Sequence, residues 1–139
     1  MRAITALCAA AMVSGCVLDE LSFINPENIY AAESTDELVA LGAVKLAELD
    51  ILDALSGQRL VEPNEAWNWD INADGTQTAA AQDGTWADAP GGTWQVISDQ
   101  FCRENEDLSL KCSDVYQVGS YFRFTEPDGS LAVWTVTKS

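Results

Sequence analysis

The chain has no histidine at all. Missing with it are the side chain that most often serves as a general base near neutral pH, the usual nitrogen ligand for transition metals, and every Ser-His or Cys-His hydrolase arrangement. Positive charge is scarce as well: 7 Lys and Arg stand against 22 Asp and Glu, a formal net charge of -15. Such a surface repels phosphate backbones, and no basic cluster offsets the repulsion locally, so nucleic acid is excluded as a partner. The acidity is read first as solubility rather than as a partner site. Long apolar runs are lacking too, because Ala3 to Val13 falls short of the roughly 20 residues a spanning helix needs. A length of 139 residues leaves room for one hydrophobic core but not for two.

What is present begins with a leader. Arg2 and the short apolar run after it read as a signal peptide over residues 1–15. Its end, Val13-Ser14-Gly15-Cys16, resembles the lipobox of bacterial lipoproteins: an aliphatic residue, two small ones, then the cysteine that is acylated and becomes the mature N-terminus. The alternative is ordinary signal cleavage with Cys16 a bystander. The resemblance implies acyl chains such as palmitate on Cys16, each buried methylene adding about 0.8 kcal/mol to a membrane anchor. It also implies a tether over 16–33 and a domain held at the cell envelope, facing the periplasm. Val17, where an aspartate would signal retention, implies the outer membrane rather than the inner. With Cys8 lost in the leader and Cys16 acylated, Cys102 and Cys112 are left as the two thiols of an exported domain, and we expect them to form a disulfide. A loop that short contributes about 2.5–3 kcal/mol in the chain-entropy model.

Beyond the tether, Ser34-Thr35-Asp36-Glu37 is a capping box, and Leu41, Val44, Ile51, Leu52 and Leu55 share one side at helical spacing. This predicts one helix over 34–56, with Gly57 as its left-handed cap. From 57 to 139 the period changes to two. Trp67, Trp69 and Ile71 fall on one face of a strand; Asn72-Ala73-Asp74-Gly75 turns the chain; Thr76 to Ala81 returns it; Asp128-Gly129 joins Tyr121–Thr125 to Leu131–Val136. The fold expected is α+β, mainly β: a small antiparallel meander or barrel of about seven to eight strands with one N-terminal helix packed on it. A Trp-rich strand, a hairpin tipped Asp-Gly, Gly92-Thr93-Trp94, Cys102, Cys112 and a last Asp-Gly hairpin together resemble the small lipocalin-like barrels of bacterial envelope proteins, many of them domains of unknown function. That likeness spans Ser56 to Val136, with Gly57-Gln58-Arg59 where lipocalins carry Gly-x-Trp.

Four constellations carry chemistry. Asp70-Ile71-Asn72-Ala73-Asp74-Gly75-Thr76 matches the first half of a calcium loop, but Ala81 stands where the bidentate glutamate belongs, so a plain turn is expected and no metal or other cofactor. The ring set that includes Trp67, Trp69, Trp86, Trp94, Phe101, Phe122, Phe124 and Trp134 is read mainly as core, with Trp67, Trp69 and Trp86 as the candidate ligand-binding residues at a pocket mouth. The many carboxylates make any one pair uninformative about glycoside hydrolysis. Arg103 and Arg123 are each expected to pair with a carboxylate on the barrel exterior. The function expected is a lipid-anchored, non-catalytic envelope protein that binds a protein partner or a small ligand. The alternatives are a periplasmic protease inhibitor, with Val17 to Ala32 as its inserting arm, and a carbohydrate-binding module.

Overall fold

The computed structural model of the chain describes residues 25–62, 64, 66–87, 92–105 and 108–139, Leu108 without its side chain. The leader, Cys16, and Glu106 and Asp107, near which a disulfide between Cys102 and Cys112 predicts a hairpin turn, lie outside the described residues. Helices α1 (Pro26–Ala31) and α2 (Thr35–Ala40) come first, then strand β1 (Val44–Lys45) and helix α3 (Glu48–Leu55). Nine strands follow: β2 (Gln58–Glu62), β3 (Trp67–Ile71), β4 (Thr76–Ala81), β5 (Gly92–Ile97), β6 (Gln100–Asn105), β7 (Leu108–Ser113), β8 (Val115–Val118), β9 (Tyr121–Thr125) and β10 (Leu131–Lys138).

The single helix expected over 34–56 is two helices, and the reason is local. Gly42 has φ 98°, the Ala43 amide donates to the Leu38 carbonyl and the Gly42 amide to that of Val39. Those two bonds make a Schellman stop, closed by burial of Leu38 and Ala43 in one cluster. Glu48, which falls inside the apolar stripe expected over 34–56, opens α3. Ala47 offers that helix no side-chain cap, and Asp99 in the β5–β6 turn supplies one, its Oδ1 accepting the Glu48 amide at 2.8 Å. The described part of the segment expected as a tether over 16–33 is helical. Asn25 caps the first turn by accepting the Glu27 amide, Pro26 sits at the first helical position, and 26–31 coil into α1.

All ten strands join one antiparallel sheet in the order β1-β8-β9-β10-β2-β3-β4-β5-β6-β7. This exceeds the seven to eight expected. The excess comes from β1, two residues long, and from a bend at Asp114 that divides one continuous stretch into β7 and β8. Because β7 ends the sheet on one side and β8 lies next to its other end, that one-residue link forces the sheet to curl back on itself.

The curl separates two cores. Inside lie Leu60, Trp69, Ile71, Phe101, Phe122 and Phe124, with Ile51 and Leu55 of α3 packed over them; burying each large side chain contributes about 1.5–3 kcal/mol. Outside, Ile29, Leu38 and Ala43 cover Val118 and the partly buried Tyr116 and Tyr121. The helices therefore have different jobs: α3 plugs the curl, whereas α1 and α2 pad its back.

Candidate functional site

Antiparallel alternation sends Trp67, Trp69 and Ile71 inward, and the register sets Trp69 opposite Ala79 and Leu60. Two departures from regular pairing then open a space among these side chains. Among the described residues strand β4 pairs with β5 at Thr76 and Gln77, and the segment following β4 folds back through an Ala80–Ala87 bridge and an Ala81 amide to Trp86 carbonyl bond. That return carries Trp86 to the opening. Among the described residues strand β10 pairs with β2 at Thr137 and Lys138, and the Glu62 carboxylate takes the Thr135 amide at 3.0 Å.

The result is a cavity of about 190 Å³ lined by Trp67, Trp69, Ala79, Trp86, Arg103 and Trp134. Trp69 lies at the middle of β3, and the other strand-borne lining residues lie, along their strands, toward the end where β2, β4, β6 and β9 finish. The plug α3 is bonded to the β5–β6 turn at the opposite end. Trp69 is the floor, 2% exposed, with its indole N–H donated to Gln77 Oε1 at 2.8 Å. Its ring centroid lies 5.4 Å from those of Phe101 and Phe124 and 5.7 Å from that of Trp134, edge-on and tilted contacts that hold indoles firmly. Trp134 in turn stacks on Phe124 at 4.9 Å. Trp86, 48% exposed, is the rim.

The three tryptophans singled out from the sequence thus line one cavity. Trp134 had been read only as core, and it is both core and wall. Arg103 corrects the exterior placement expected for it: it faces inward and lines the cavity, its guanidinium carbon 5.4 Å from the Trp69 ring centroid, a cation–π distance. The signal was in the sequence, since Arg103 lies two residues from Phe101 on the same strand and must share its face.

Arg123 corrects the companion expectation. It lies on the outer face but is 2% exposed, sealed under α1, and it donates to main-chain carbonyls rather than to a carboxylate. Nη1 donates to Ile29 O at 2.6 Å and Ala32 O at 3.2 Å, and Nη2 to Ala132 O at 2.6 Å. Burial pulls its pKa below the ordinary arginine value, partly offset by the charge of Glu62. The neighbouring Tyr30 hydroxyl is pushed up, first by burial and then by Tyr121 and Glu62.

Cys102 and Cys112, directly opposed on β6 and β7, form the expected disulfide. The half calcium loop is a turn: Asp74 Oδ1 accepts the Thr76 amide at 3.0 Å and hydroxyl at 2.6 Å. Among the described residues no three His, Cys, Asp or Glu side chains are grouped to hold a metal. A larger hollow of about 650 Å³, edged by Val44, Asp50, Asp53, Gln117 and Lys138, has no aromatic lining. Comparison of the chain with known family models, curated proteins and solved structures finds no match. Geometry alone therefore points to the tryptophan cavity.

Proposed function

We propose that this chain is a lipid-anchored, non-catalytic protein of the bacterial cell envelope whose curled sheet binds a small ring-bearing ligand between its tryptophans. The observation that carries this is the convergence of Trp67, Trp69, Trp86 and Trp134 on one cavity at the end away from the α3 plug. Indoles bury large apolar area at little conformational cost and take flat or sugar rings on their faces, and a rim residue beside a rigid floor suits a pocket mouth. The cavity falls below the roughly 300 Å³ typical of drug-sized pockets, which favours a single ring over a large amphiphile. It also favours a small ligand over a protein partner.

The anchor rests on the lipobox-like Val13 to Cys16, and the non-catalytic character on the lack of histidine. A protease-inhibiting arm has less support, because the described half of Val17 to Ala32 is coiled and held by Arg123 rather than presented to an enzyme. A carbohydrate-binding role uses the same tryptophans and is one outcome of the same experiment.

Titrating the full chain with single-ring solutes, glycans and peptidoglycan fragments tests the site through intrinsic tryptophan emission. A saturable change is expected with one of these classes, weakened about tenfold in W86A, the order of one ring contact. Emission unchanged across all three classes rules the cavity out. Metabolic acyl labelling, expected to vanish in C16S, tests the anchor separately.

A further inference from the structure

Strand β4 is the reason there is room among the tryptophans. By alternation its inward residues after Gln77 are Ala79 and Ala81, and the register sets them directly opposite Trp69 and Trp67. Two of the largest side chains thus face two of the smallest, and Ala79 forms part of the cavity wall. Trp69 is not free to swing across and fill the gap, because its indole N–H is bonded to Gln77 Oε1 at 2.8 Å and its ring is held against those of Phe101 and Phe124. The space left, about 190 Å³, is close to the roughly 150 Å³ at which an apolar cavity takes one benzene ring.

The chemistry of the wall narrows the choice of ring. Indole and guanidinium groups donate hydrogen bonds and accept none, and alanine does neither. Among the described lining residues, therefore, no side chain can accept a hydrogen bond. A pyranose seated there brings several hydroxyl protons that meet no side-chain acceptor, each weakening binding about tenfold. An aromatic ring without such donors avoids that loss and gains ring contacts with the indoles.

Resting on the cavity being a ligand site, we infer that its ligand is a single aromatic ring bearing no hydroxyl or amine, admitted because residue 79 is alanine. Calorimetry on the full chain with toluene and with methyl β-glucopyranoside tests the class. Toluene is expected to bind at least about tenfold more tightly than the glucoside. A79L puts a larger aliphatic side chain into the space and is expected to weaken toluene about tenfold or more, with a cooperative urea transition to show that the variant is folded. The toluene-to-glucoside ratio needs no variant, so it stands even where A79L does not fold. A glucoside that binds as tightly as toluene overturns the aromatic class and leaves the cavity a binding site. Folded A79L that binds toluene undiminished overturns the role of Ala79. If neither solute binds, the cavity itself is refuted as a site for single rings, and the inference goes with it.

Discussion

Two arginines on neighbouring parts of one sheet have opposite surroundings. Under α1, Arg123 spends its donors on the carbonyls of Ile29, Ala32 and Ala132 and is shut off from water. In the tryptophan cavity, Arg103 is half-buried and meets an indole face. A cation bonded to main chain fixes one segment to another; a cation laid on a ring forms part of a cavity wall. The back of the sheet is in this sense structural, and the inside of the curl is where binding chemistry can occur.

The sharpest way to break that contrast is to remove each arginine in turn. R123M strands three carbonyls and unpins α1, and is expected to cost about 4 kcal/mol in urea unfolding, with α1 amides losing hydrogen-exchange protection first. R103M is expected to cost under about 1 kcal/mol, the scale of a partly exposed cation–π contact. Equal losses at the two sites would erase the distinction.

The second comparison sets the plugged end of the curl against the open one. Leu55→Ala empties space beneath α3, where Leu55 is fully buried, and is expected to cost about 3 kcal/mol. Trp86→Ala at the rim should change stability by about 0.5 kcal/mol or less while weakening ligand. Intermediate between these is the staple on β6 and β7: C102S/C112S opens a loop of sequence separation 10 and is expected to lower stability by about 2.5 kcal/mol, read as a shift in urea midpoint at constant slope.

How far these features could be read without coordinates follows from their range. Trp67, Trp69 and Ile71 declare a face by alternation, and the strand limits at Thr76–Ala81 and Tyr121–Thr125 match the structure, because adjacent turn residues set them. The disulfide followed from counting thiols. The break at Gly42 within the helix expected over 34–56 was not legible, since its Schellman stop depends on burying Leu38 and Ala43 in one cluster. Helix α1 was missed despite Asn25 and Pro26, because six residues form a helix only when something holds them, and Arg123 does so from a sequence distance of 94. The cavity itself depends on residues of β3, β4, β6 and β10 meeting on one inner face, a non-local event with no local signature.

The smallest expected effect comes from a motif that occurs at both ends of the curl. Asp74-Gly75-Thr76, Asp83-Gly84-Thr85 and Asp128-Gly129-Ser130 close turns in the same way, each aspartate Oδ1 accepting the amide and the hydroxyl two residues on. Those bonds hold each carboxyl below its ordinary value of 3.8: chiefly the Thr76 hydroxyl for Asp74, the Thr85 amide for Asp83 and the Ser130 hydroxyl for Asp128. A carboxyl depressed by folding contributes stability that is complete above its unfolded pKa and is lost as pH falls through the folded one. All three turns should therefore hold full strength at pH 5 and weaken only below about pH 4. Amide shifts of Thr76, Thr85 and Ser130 should titrate with midpoints under 3.8. Asp→Asn at any one position keeps the turn acceptor but removes the charge, so it should cancel that turn's acid dependence with little change at neutral pH. Since Asp74 sits at the plugged end while Asp83 and Asp128 sit at the open one, equal midpoints would show the two ends to be electrostatically alike at their turns and different only in what the inward side chains present.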